Sequence, residues 1–150
     1  MRDKALYIVT EGQSDVIMLT ELLNCSGYEK VYVVPAGNYN SITSYVRTIR
    51  LMNDKHNSED RIVAVFDSDS QDPDVAAEKK ATMRYLTNAR DDRRIGIFCF
   101  EPNMDVSLFG ERNAAKNKIR KGNIREYLNL HRGELLDNPI IKEIQSFISK

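Results

Sequence analysis

Arg61-Ile62-Val63-Ala64-Val65-Phe66-Asp67-Ser68-Asp69 is the stretch on which the fold turns: five consecutive apolar residues run straight into two aspartates spaced i, i+2. A short apolar run rich in β-branched residues and bounded by polar clusters reads as a strand buried on both faces. Side chains at i and i+2 of an extended segment share a side, so Asp67 and Asp69 are expected to stand together at the strand's carboxyl end. Open α/β sheets place their ligands there. Two carboxylates so close repel each other, and a bound divalent cation relieves that repulsion, which makes a magnesium-type site the first expectation.

The flanking sequence supplies the remaining layers. Before this strand come Ala5–Val9, a strand ending at Thr10-Glu11-Gly12, and a helix over 16–25 with Ser14 as its expected N-cap and Asp15 in its first turn. Val31–Val34 is a second strand. It runs into the turn-rich loop Pro35-Ala36-Gly37-Asn38-Tyr39-Asn40, with Ser41 expected to cap a helix through Met52. After the central strand, Asp74 is the expected cap of a helix over 75–89, and Ile95–Phe100 is a fourth strand ending at Glu101-Pro102-Asn103. Short helices are expected over 104–109 and 123–130, and an amphipathic one over 139–148. Alternating strands and helices imply an α/β architecture: a four-stranded, mostly parallel, Rossmann-like sheet flanked by helices with a C-terminal helical extension. One domain is expected over 1–150, with a core over about 4–110 and a helical tail over about 111–150.

Bulk composition constrains function by exclusion. Twenty-two basic and 22 acidic residues leave no net charge, so any polyanion contact must come from local clustering. No apolar run approaches the ~18 residues of a membrane span, and the start Met1-Arg2-Asp3-Lys4 leads into a stretch too short for a signal-peptide core. A cytoplasmic protein without membrane partners is expected. Cys25 and Cys99 are isolated and read as reduced and buried; with His56 and His131 they form no zinc spacing.

In a parallel sheet the strands' carboxyl ends share one edge, so Glu11, Asp67, Asp69 and Glu101 are expected to converge. Asp15 and Asp105 would border the same place from the helices that follow. Thr10-Glu11-Gly12-Gln13-Ser14-Asp15, Pro35-Ala36-Gly37 and Val65-Phe66-Asp67-Ser68-Asp69, in that order and on those elements, resemble the Toprim domain of topoisomerases, bacterial primases, ribosomal RNA maturases and OLD-type nucleases. Phe100-Glu101-Pro102-Asn103-Met104-Asp105 is most similar to the OLD-like and phage-defence branches. The resemblance implies catalytic roles for Glu11, Asp15, Asp67 and Asp69. It also implies Mg2+ (or Mn2+) held by Glu11, Asp67 and Asp69, with Asp105 or Glu101 as a late acid. No Gly-x-x-x-x-Gly-Lys-Ser/Thr occurs, so an ATPase or other protein component would be a separate partner.

A carboxylate cluster without a Ser-His or Cys-His pair suits metal-assisted phosphodiester chemistry, and a nuclease acting on DNA or RNA is the leading expectation. Arg112, Lys116, Lys118, Arg120, Lys121 and Arg125 give six basic residues in 14 positions, a candidate phosphate-tracking segment that is partly loop. Arg90, Arg93 and Arg94 form a second basic group offset by Asp91 and Asp92, and Arg47 and Arg50 lie on the second helix. Tyr39 is read as a packed loop tyrosine or a base-stacking one. A calcium loop is rejected because Asp72 stands where that loop needs glycine. A haloacid-dehalogenase-like phosphatase also uses Asp-x-Asp, but on its first strand. A non-catalytic Toprim-like module that binds nucleic acid or a partner protein is the alternative from another class.

Overall fold

A computed structural model describes residues 4–150; Met1–Asp3, part of the start read for a leader, lie outside the described residues. Four strands, β1 (Ala5–Thr10), β2 (Lys30–Pro35), β3 (Arg61–Asp67) and β4 (Ile95–Phe100), form one sheet in the order β2-β1-β3-β4. Every pairing is parallel, which makes the architecture α/β and Rossmann-like. Among the described residues no helix is long and apolar enough to cross a membrane.

The alternation of β3 assigns its side chains to two cores. Ile62, Ala64 and Phe66 pack with Ile42 and Val46 of α2 (Tyr39–Lys55) and with Ala76 and Met83 of α3 (Pro73–Leu86). Val63 and Val65 face the other way, against Met18, Leu19 and Leu22 of α1 (Gln13–Leu22). The remaining helices share that second face: α4 (Met104–Phe109), α5 (Ala114–Arg120), α6 (Ile124–Leu130), α7 (Arg132–Leu136) and α8 (Pro139–Ile148). Leu128, Leu135, Ile141, Ile144 and Ile148 are buried in the same cluster as α1, so the tail completes a layer of the core instead of hanging from it. The basic segment is interrupted at Gly122 and Asn123, which lie between α5 and α6, and α7 has no counterpart in the sequence reading.

Three helices start two or three residues earlier than the sequence pattern suggests. Asn38, not Ser41, caps α2, its side chain accepting the Ser41 amide at 2.9 Å. Asp72, not Asp74, caps α3 ahead of Pro73 and accepts the Asp74 amide at 3.0 Å. Gly12, not Ser14, is the N-cap of α1. For Asn38 and Asp72 the capping side chain must stand two or three residues before the amide it satisfies, whereas the apolar pattern marks only where the buried stripe begins. Cys99 is buried as expected, but Cys25 is only partly so; both are free thiols.

Gly96 explains how α8 reaches the sheet. A Cβ there would stand 2.8 Å from the Phe98 ring and 3.1 Å from that of Phe147 on α8. Those rings meet edge to face at 5.9 Å. Gly96→Ala therefore overpacks the β4–α8 contact, and chemical denaturation should show a loss of about 1–3 kcal/mol. Phe147→Leu in the same chain should return part of that loss; additive effects of the two substitutions would contradict the clash.

Candidate functional site

β1 leads through α1 to one side of the sheet and β3 leads through α3 to the other, so the chain parts between their carboxyl ends. This is the switch point at which open α/β sheets form a crevice. A cleft of about 560 Å3 lies there, lined by Glu11, Asp15, Asp67, Asp69 and Asp105 together with Arg112 and Lys116. Gly12, Ser14, Gly37, Pro102, Asn103, Met104 and Asn113 complete its wall.

Each acid is positioned by backbone. Glu11 leaves the end of β1 and its Oε1 accepts the Asp67 amide at 3.1 Å, joining the two central strands across the crevice. Asp15, third residue of α1, folds back so that its Oδ2 accepts the Gly12 amide at 3.1 Å and the Thr10 hydroxyl at 3.2 Å. Its place in the first turn thus caps the helix and also presents a carboxylate to the cleft. Asp67 is the last strand residue and its Oδ1 accepts the Met104 amide at 3.0 Å. Asp69 joins it by a route other than the strand pleat. The strand stops at Asp67, Asp69 is left-handed at φ 56°, and the turn is held by Ser68 N–H donating to the Phe100 carbonyl (2.9 Å) and Asp69 N–H to that of Pro102 (2.7 Å).

Asp105 comes from the first turn of α4, which Asn103 caps by accepting the Val106 amide at 2.8 Å. Glu101, by contrast, is exposed and does not line the cleft. The basic segment divides. Arg112 and Lys116 border the acids, while Lys118 sits 3.9 Å above the Tyr127 ring and Arg125 pairs with Glu21 at 2.9 Å. Arg120 and Lys121 are exposed outside the cleft wall, so the six residues do not form one track. Tyr39 is packed: its hydroxyl donates to the Lys79 carbonyl at 2.7 Å and its ring meets Phe66 edge-on.

The sequence reading missed Lys79. It lies on the core side of α3, between Ala76 and Met83 at helical spacing, and that placement is the signal that it is held inward. Its Nζ donates to the Ser68 carbonyl at 3.0 Å, steadying the turn that carries Asp69. Gly37, in the Pro35-Ala36-Gly37 turn, has a part in the site of its own. Its φ of 101° lets its amide donate to the Glu11 carbonyl at 2.7 Å on the cleft wall.

The electrostatics follow from burial and like charge. Burial pushes the Asp67 carboxyl up to about 8, and the Asp15, Glu11 and Asp69 charges add to it against the pull of the Met104 amide. Burial also raises Glu11, with Asp69 and Asp15 pushing the same way and the Asp67 amide and Lys79 opposing. Asp15 rises through burial, held back by the Gly12 amide, the Thr10 hydroxyl and Lys116. Asp105 rises through burial and is held back by the Ala115 and Asn113 amides and by Lys116. All four shifts disfavour the charged carboxylate, and positive charge arriving in the cleft would oppose them.

The cleft offers oxygen donors and no His or Cys, a set suited to Mg2+ or Mn2+ over zinc. Among the described residues, no three acids are already arranged as a metal-holding group. Glu11 and Asp67 each have one oxygen committed to an amide and one left over. Comparison with family models, with curated proteins and with solved structures gives no match. The cleft's own geometry therefore carries the functional argument.

The sign of the pH dependence follows from the raised Asp67. The folded chain holds that proton between the ordinary carboxylate range and about 8, whereas the unfolded chain has released it, so stability declines as pH rises through that window. Asp67→Asn keeps an acceptor for the Met104 amide and removes the charge. In chelator at pH 8 it should stabilise the fold by about 1–2 kcal/mol, or roughly 2–8 °C in melting temperature. The gain should shrink as pH is lowered and vanish only below the ordinary carboxylate range. An equal or lower melting temperature at pH 8 would refute the electrostatic account.

Proposed function

We propose that this chain carries out Mg2+-dependent phosphodiester cleavage in nucleic acid at the crevice between β1 and β3. The observation that carries the reading is the meeting of five carboxylates from three separate segments in one cleft with Arg112 and Lys116 on its wall. The order of the acidic motifs, and their resemblance to the Toprim pattern, supports the same chemistry.

Glu11, Asp67 and Asp69, with Asp105 beside them, would hold the cation. When bound it offsets their repulsion and stabilises the charge that develops on the phosphate. Arg112 and Lys116 would contact the non-bridging phosphate oxygens and orient the strand over the acids. Glu11, raised by burial, is suited to accept a proton from an attacking water or return one to the leaving oxygen. Asp15 would support this through the Gly12 amide and Thr10 hydroxyl, keeping the β1–α1 turn in place as charge changes nearby. Glu101 has no part in this scheme.

The amide bonds already occupying Glu11 Oε1 and Asp67 Oδ1 favour one second reading, a nucleic-acid-binding module without turnover. The two separate in one assay. Labelled single- and double-stranded DNA and RNA are incubated with Mg2+, with Mn2+, or with chelator. The nuclease reading expects cleavage that needs the metal, falls at least about 100-fold in Glu11→Gln and Asp67→Asn, and shows a raised KM in Arg112→Ala/Lys116→Ala. Cleavage that survives chelator or Asp67→Asn would sink it, and tight binding with no cleavage under any metal would select the module.

A further inference from the structure

A second and larger cavity, of about 1130 Å3, lies at the opposite end of the sheet, where Arg94 enters β4 and its carbonyl accepts the Ile62 amide at 2.8 Å. The rise of a seven-residue strand places this end about 20 Å from the acid cleft. Its wall carries Arg50, Arg84, Arg90, Arg93 and Arg94 against Glu59, Asp91 and Asp92.

The arginines do two different jobs. Arg94 and Arg50 build the wall. Arg94 donates to Asp92 from Nε (2.9 Å), Nη2 (2.8 Å) and its amide (3.0 Å), and reaches Asp54 at 2.7 Å and the Ser58 carbonyl at 3.1 Å. Arg50 Nε joins Asp92 at 3.3 Å, and the Asp92 side chain is only 10% exposed. The end of α3 is fixed as well. Asn88 is left-handed at φ 54°, and the Ala89 amide donates back to the Arg84 carbonyl at 2.9 Å. The segment between α3 and β4 is thereby held at both ends.

Arg84, Arg90 and Arg93 are exposed on that scaffold and form no ion pair among the described residues. The helix macrodipole accounts for Arg84 in the last turn of α3, but Arg90 and Arg93 lie in the loop beyond it. Tyr85 stands on the same wall with 81% of its surface exposed. Unpaired guanidiniums around an open aromatic ring match a ligand with several phosphates and accessible base faces. A duplex hides those faces; a single strand offers them.

We propose that this arginine-walled cavity binds single-stranded nucleic acid, with Arg84, Arg90 and Arg93 on phosphates and Tyr85 stacked on a base. The proposal extends the nucleic-acid reading of the acid cleft, but it concerns binding alone and does not need cleavage to occur there. The test is fluorescence anisotropy of labelled DNA and RNA single strands of about 20 nucleotides, long enough for one binding groove. It is run in chelator across a salt series, with circular dichroism to confirm each variant's fold.

Arg84→Glu/Arg90→Glu/Arg93→Glu should weaken binding at least about 100-fold and flatten the log–log salt slope by about 2, as three phosphate contacts to a single strand imply. Tyr85→Ala should weaken it about 5- to 100-fold with the slope unchanged. A triple variant that keeps wild-type affinity and slope overturns the proposal, as does wild-type protein that prefers duplex. Binding lost in Arg112→Ala/Lys116→Ala but kept in the triple variant also overturns it, while leaving the acid cleft as the nucleic-acid site. Absence of cleavage with Mg2+ would count against the nuclease reading without touching this one.

Discussion

The bond from Glu11 to the Asp67 amide is the constraint around which the cleft is arranged. A carboxylate at the end of one central strand is tied to the backbone of its neighbour. That tie brings together acids that would otherwise repel into solvent. Its cost is visible in the raised carboxyls of Glu11, Asp15, Asp67 and Asp105. A purely structural crevice would gain nothing from burying so much like charge, because neutral side chains would fill the same space at lower electrostatic cost.

The layer over that crevice is assembled from distant parts of the chain. α1 supplies Asp15, α4 Asp105, the connection from α4 to α5 Arg112 and Asn113, and α5 Lys116; these helices rest on the face formed by Val63, Val65, Phe98 and Phe100. Ala114 and Ala115 are buried, so α5 lies close against its neighbours while Lys116 emerges at the cleft. The two arginine and lysine groups thus have different supports. One borders the acids on this layer; the other stands on the Asp92 clamp at the far end of the sheet.

The sheet, its parallel sense and the gathering of Glu11, Asp15, Asp67, Asp69 and Asp105 were legible because strand burial and strand direction are written in short-range patterns. Five apolar residues before Asp67 dictate a two-sided core, and parallel connection dictates a shared edge. What was not legible depended on tertiary partners. Asp69 reaches the cleft through a left-handed turn pinned by the Phe100 and Pro102 carbonyls, which lie more than thirty positions away. Glu101 sits one residue past β4 and yet turns outward. The six basic residues after Gly110 look equivalent in sequence, but ring contacts and the Glu21 pair remove Lys118 and Arg125. Charge density along a chain says nothing about which side of a helix faces a ring.

β3 is anchored at both ends. Arg61 donates to the carbonyls of Phe147 and Lys150, each at 2.5 Å, and Asp67 accepts from Met104. A shift of one residue in its register would exchange the two faces of the sheet, turning Phe66 toward α1 and sending Asp67 to the α2 side. Anchors at the first and last residues make such sliding expensive in either direction. A length change inside β3 would have to break one anchor or the other, so any length variation next to this strand has to be taken up in the connections on either side of it.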